Sequence, residues 1–301
     1  HDGTYVASTH AAVSSLLHDP RVSSENLPAA DRPRTGNPFR DWIVKPIRDH
    51  ITNTHRPFIF RDPPEHDRLR AGVMHEFSRE RVQSMRARSD RLVADLLDKH
   101  SGAHEIDVVE DLAYPLPVTV ICELLGIPTD DEPKFHGWAT QLATALEPDS
   151  LDDDEIRAKN SLTFDEISAY MGLLIEEKRL HPEDDILSGL ATRAAPGAAR
   201  MGDYDLIATS ILMLVAGHET TVNLITNGML TLLRHPHELD RLRADPERAP
   251  RVIEELLRYD TSVQLSINYA VADVGLAAGA NVFVGRNGQG KTNLAEAIAV
   301  A

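Results

Sequence analysis

The longest hydrophobic pattern in the chain covers residues 205–233 and contains no proline. Ile207, Ile211, Leu212, Leu214, Val215, Val222, Leu224, Ile225 and Met229 occupy most of a helical circumference. A helix apolar nearly all round belongs in a core. Residues 162–180 carry a narrower, amphipathic pattern, and Val252, Ile253, Leu256 and Leu257 give one apolar face to a helix that also bears Glu255 and Arg258. Residues 9–17 predict a short helix stopped by Asp19-Pro20, and Ser78 is placed to cap a helix reaching Lys99. Pro115 and Pro117 mark the start of another. Strand-like runs are few: residues 4–7, short pieces after Gln264, and residues 281–284. Residues 23–60, rich in Pro, Gly, Asn and charge, read as a long excursion, and 148–155 and 181–203 as surface connections. The pattern predicts a mainly α fold with a small β component and no internal repeat.

Composition narrows the class. A chain of 301 residues that is 42% hydrophobic can bury one large core or two unequal ones. The most apolar stretch, 206–217, is too short to span a membrane and contains Thr209 and Ser210. With one cysteine there is no disulfide framework, which fits a cytoplasmic setting, and no basic-plus-apolar leader opens the chain. The net charge of −16 argues against general nucleic-acid binding. The charge is uneven, however. Residues 31–91 hold 14 basic against 9 acidic side chains, a segment able to steer an acidic partner or simply to form a solvated arginine-rich helix.

Candidate chemistry lies where the central helix breaks its own pattern. Ala216-Gly217-His218-Glu219-Thr220-Thr221 places a glycine, a carboxylate and two hydroxyls at its midpoint. An interior glycine costs about 1 kcal/mol, and a buried unpaired carboxylate costs several times more. Such a break is either a packing glycine beside a solvated glutamate or a functional site. Upstream, Arg61-Asp62-Pro63-Pro64-Glu65-His66-Asp67-Arg68-Leu69-Arg70 opens a helix on which His66 and Arg70 share a face. Downstream, Glu255 and Arg258 form an i,i+3 pair, a spacing that is common and weak by itself.

Taken in this order, these segments resemble the cytochrome P-450 haem-thiolate monooxygenases of the soluble bacterial type, over residues 5–284. The stretches 60–70, 116–128, 216–221 and 254–259 carry the likeness. It implies that His66 and Arg70 hold the propionates of a haem b and that the central helix crosses its oxygen side. It also implies that Ala216 and Gly217 line the cofactor, with Gly217 opening room for dioxygen. Glu219 and Thr220 resemble the acid–alcohol pair that passes protons to bound oxygen, and Glu255 and Arg258 the structural pair behind the cofactor. The expected reaction inserts one atom of O₂ into a hydrophobic small molecule, with electrons from a ferredoxin and a ferredoxin reductase.

The chain departs from that family at several points. Its iron is held by a cysteine in a glycine-rich loop after the Glu-x-x-Arg helix, and no such loop is present in this sequence. The lone Cys122 sits in an apolar stretch and reads as a buried structural thiol, leaving the thiolate ligand unassigned. Tyr269 stands where the family usually offers an arginine. The likeness therefore implies a fold short at both ends, with residues 1–280 as an incomplete domain.

Residues 281–301 read differently. Gly285, Gly290, Lys291 and Thr292 form a G-x-x-x-x-G-K-T loop between a strand and a helix, similar to the opening of recombination-repair and chromosome-maintenance ATPases. Nine residues after Thr292 leave no room for a second acidic strand, so ATP and Mg²⁺ are not expected. A P-loop ATPase fragment, or a non-catalytic relic of the monooxygenase fold, are the alternatives.

Overall fold

A computed structural model describes residues 9–25, 56–143, 154–193 and 200–264, with 7, 266, 268–272 and 274. Most of the expected excursion and the whole of the P-loop segment, including Gly285, Gly290, Lys291 and Thr292, lie outside the described residues, as does the 280/281 boundary. The helices are α1 (His10–Leu17), α2 (Glu65–Glu76), α3 (Arg79–Asp98), α4 (Pro115–Leu125), α5 (Glu132–Ala143), α6 (Asp154–Leu180), α7 (Ile186–Thr192), α8 (Asp203–Arg234), α9 (Pro236–Ala244) and α10 (Ala249–Tyr259). One π-helical turn, Val109–Ala113, leads into α4. Two short strands, β1 (Val22–Ser23) and β2 (Tyr269–Ala270), pair antiparallel with Val22 opposite Ala270. No helix among the described residues is long and apolar enough to cross a membrane.

The element ends follow local chemistry. The Ser78 side chain accepts from the Arg81 amide at 3.2 Å, capping α3 as expected. Helix α4 stops at Gly126, whose φ of 74° is the left-handed value that favours glycine. Its missing side chain is also needed, because a Cβ there would fall 2.4 Å from the Asp185 carboxyl. Residues 186–192 correct the expectation of a surface connection. The Asp185 side chain caps α7 by accepting from the Ser188 amide at 2.6 Å, and Ile186, Leu187 and Leu190 are buried. The Ala, Gly and Pro that suggested a loop come after this helix, from residue 194 on.

Helix α8 organises the rest. Its 32 residues pack against α4, α5, α6 and the π turn, and its buried Leu206, Ile211, Leu214 and Val215 meet Ile121, Phe135 and Met171 in one core. The start of α8 is tied to α2 by charge. Asp205 takes Arg61 at 3.0 Å and Arg68 at 2.8 Å, all three side chains at least three-quarters buried. Ion pairs in this setting fix orientation more than they add stability. Here they set the angle between the helix bearing His66 and Arg70 and the helix bearing Glu219 and Thr220.

Candidate active site

The midpoint of α8 is open on one side. Ala216 is exposed although Val215 before it and His218 after it are buried. Thr220 lies one turn on, on the same face. Its hydroxyl donates to the Ala216 carbonyl at 2.6 Å, and the Thr221 hydroxyl donates to the Gly217 carbonyl at 3.1 Å. Hydroxyls that bond back to the preceding turn compete with the helix ladder and bend it. From the chain beyond α10, the Ser262 hydroxyl donates to the Thr220 carbonyl at 2.7 Å. The carbonyls of Ala216, Gly217 and Thr220 thus each carry a side-chain donor.

Gly217 does not point toward that opening. A Cβ built on it would lie 3.0 Å from Ile121 Cδ1 on α4. The room it makes is filled by Ile121 in the close packing of two helices, not left for a small ligand. Sequence alone could not separate these two uses of one glycine.

Glu219 sits at the boundary between core and opening, with about a quarter of its side chain exposed. Burial raises its carboxyl above the ordinary range, and the Thr140 hydroxyl and His136 from α5 moderate the rise. A carboxyl pushed this way holds and releases a proton closer to neutrality. Glu219 and Thr220 are consecutive on the helix, and the Thr220 hydroxyl is committed to the Ala216 carbonyl. Beside it, His218 is fully buried and its imidazole is pushed down to about 4, by burial first and by His136 second.

His66 and Arg70 stand one turn apart on α2. His66 is partly buried against Phe58, ring centroids 5.9 Å apart, with Nδ1 at 2.9 Å from Asp67. Arg70 is exposed and takes no partner among the described residues. A guanidinium with no partner among the described residues and a nearby imidazole suit an anionic carboxylate ligand. Glu255 and Arg258 pair bidentately at 2.6 and 2.8 Å on α10. Both are more than half exposed, which makes them an ion pair at a surface. The same helix leaves Ile253 and Leu257 uncovered, while Leu256 fills the space beside Gly228 on α8.

Cys122 is buried on α4 within the core cluster, and burial, with Glu132 and Glu123 behind it, pushes its thiol up to about 12. A metal ligand must be a thiolate at a reachable site, and Cys122 is neither. Residues that the sequence did not single out are Thr140, His136 and Tyr114, which bear on Glu219, and Ser262, which binds the Thr220 carbonyl. Each arrives from another element, and no spacing rule links them to the motif.

Comparison with known proteins places this geometry. A family profile described as Cytochrome P450 matches residues 34–284. The chain is 41% identical over 261 residues to Cytochrome P450 107B1 of Saccharopolyspora erythraea, covering 83% of the chain and 58% of that protein. It is 37% identical over 229 residues to the monooxygenase PikC of Streptomyces venezuelae, covering 75% and 53% respectively. Among solved structures, P450BioI in complex with a hexadec-9Z-enoic acid ligated acyl carrier protein superposes with a TM-score of 0.76 at 26% identity, over 91% of this chain and 70% of that one. The chain thus spans between half and three-fifths of the length of these curated relatives.

Proposed function

The chain belongs to the cytochrome P450 family, and on that premise we propose that it supplies the oxygen-side half of a monooxygenase acting on a hydrophobic small molecule. The observation that carries this reading is the open face at Ala216 and Thr220, with the half-buried Glu219 beside it on an otherwise buried helix. When bound, haem supplies the redox chemistry that activates dioxygen. The protein's part is to keep that space nearly free of bulk water and to bring protons to it.

In this reading Glu219 takes a proton from solvent at the α5 side, where His136 and Thr140 are exposed. It passes the proton through a water to Thr220, whose hydroxyl leaves the Ala216 carbonyl to donate into the open space. Arg70 and His66 take the two propionates, and the Arg61–Asp205–Arg68 bridge keeps that grip in register with the relay. Glu255 and Arg258 hold α10 behind the site. Electrons come from a ferredoxin and its reductase, for which the basic segment 31–91 is the docking candidate, in the cytoplasm.

The residues fit the oxygen side and the propionates, but Cys122 does not fit the iron, so no step is derived through the metal. The test is a chimera in which this chain runs on into the C-terminal portion of its 41%-identical relative. Arg70→Ala in that chimera should weaken haem retention about tenfold, the worth of one charge-assisted hydrogen bond. Unchanged retention in both Arg70→Ala and His66→Ala, followed by the Soret band during transfer to apomyoglobin, would remove the pair from the cofactor site.

A further inference from the structure

Two buried polar groups beside Glu219 have no use in the relay as described. His218 is wholly buried, yet neither ring nitrogen finds a hydrogen-bond partner among the described residues. The Tyr114 hydroxyl, where the π turn meets α4, is in the same state. An apolar side chain of similar shape would fill the His218 site without stranding two polar atoms. Packing alone therefore does not account for an imidazole here.

Geometry gives it a task. His218 Nδ1 lies 3.5 Å from Glu219 Oε1, just outside hydrogen-bond reach. The ring is held edge-on by Tyr114, centroids 4.9 Å apart at 85°. Tyr114 is held in turn by His136 of α5, at 3.9 Å and 72°. This stack of three rings fixes the His218 plane and keeps Nδ1 on the carboxyl side. The other donor to that carboxyl is the Thr140 hydroxyl from α5.

We propose that His218 is the positioning residue of Glu219: its neutral imidazole, carrying the proton on Nδ1, closes onto the carboxylate each time Glu219 has given up its proton, and lets go when the carboxyl is reprotonated. The ring acts as a donor only. Burial and the neighbouring His136 hold it neutral well below physiological pH, so it does not compete for the proton in transit. The titratable groups facing this point are His136 from α5 and Tyr114. Behind Tyr114 come Glu110 on the π turn, Cys122 on α4 and Glu132 on α5. Of these only His136 can carry a positive charge, and it acts on the carboxyl through space, whereas His218 Nδ1 lies 3.5 Å from it. The proposal rests on reading Glu219 as the inner acid of the relay, but its test needs neither oxygen nor electrons.

The experiment uses the 301-residue chain labelled with ¹⁵N-histidine, and an infrared titration of the carboxyl band that disappears in Glu219→Gln. The His218 imidazole is expected in the Nδ1–H tautomer at pH 7. In His218→Leu the Glu219 band should titrate about one pH unit higher, a tenfold change in proton affinity. His218→Asn, which presents an N–H near the Nδ1 position, should bring it back. An Nε2–H tautomer, or a Glu219 titration unmoved by His218→Leu, overturns the proposal. If His218→Leu does not fold, the tautomer in the unsubstituted chain decides alone. A normal tautomer result with unchanged oxygen coupling in a Thr220 variant would sink the relay and leave the His218–Glu219 pair standing, so the two failures are distinguishable.

Discussion

Loaded with haem, reduced and exposed to carbon monoxide, the 301-residue chain should give no red-shifted thiolate band, whereas the chimera with the relative's C-terminal portion should give one. The difference is all or none, and it follows from where the only cysteine sits. Cys122 lies 2% exposed on α4, in the cluster that joins α4 to α8. With its thiol pushed up to about 12, roughly one molecule in 10⁵ carries a thiolate at pH 7. Bringing iron to that sulfur means separating α4 from α8, which pack so closely that a Cβ on Gly217 would fall 3.0 Å from Ile121. The core would have to open to make the bond. A thiolate band from the unextended chain would show that Cys122 is reachable, and would overturn the description of α4 as a sealed core helix.

Acid should destabilise the folded chain by about 3 kcal/mol through His218 alone. The imidazole titrates at about 4 in the folded state against 6.5 when unfolded, and each pH unit of difference is worth about 1.4 kcal/mol. A depressed histidine pKa means the unfolded chain binds more protons between those values. Its stabilising contribution is therefore complete above pH 6.5 and is lost as the pH falls toward 4. Glu219 runs the other way. Its raised carboxyl pKa favours the folded state at low pH, and that advantage fades as the pH rises through its folded value. Urea unfolding from pH 7 to pH 4 checks both signs. The unsubstituted chain should lose stability steeply, and His218→Leu should lose much less over the same range. Parallel curves for the two proteins would mean that His218 is solvated and already charged.

The sequence exposed the central helix because its apolar periodicity is long and its polar break is abrupt. Asp203–Arg234 extends the expected span by only two residues at the start and one at the end. The Ser78 cap was equally readable, since capping is a local bond between neighbours. Helix α7 was not, because its seven residues are shorter than two full turns and the cap that starts it depends on a single aspartate. The site itself was half legible. Glu219 and Thr220 announce themselves by violating their surroundings, but the groups that tune Glu219 do not. Thr140 and His136 come from α5, and Ser262, which binds the Thr220 carbonyl, comes from beyond α10. The Asp205 bridge to Arg61 and Arg68 spans more than 130 residues. Contacts at such separations are set by helix packing, and no periodicity encodes them. Gly217 illustrates the limit most clearly: one residue type serves both close packing and ligand room, and only the direction of its Hα tells them apart.

In the proposed relay, Glu219 and Thr220 bring protons to the open face of α8. The measurement that tests it most directly is product formed per O₂ consumed by the chimera, with and without Thr220→Ala. If the relay is as described, Thr220→Ala keeps consuming oxygen while product per O₂ falls at least about tenfold and the missing electrons appear as peroxide, in keeping with the loss of a positioned proton donor. An unchanged ratio would remove Thr220 from the chemistry and reduce the polar break in the central helix to a feature of its packing.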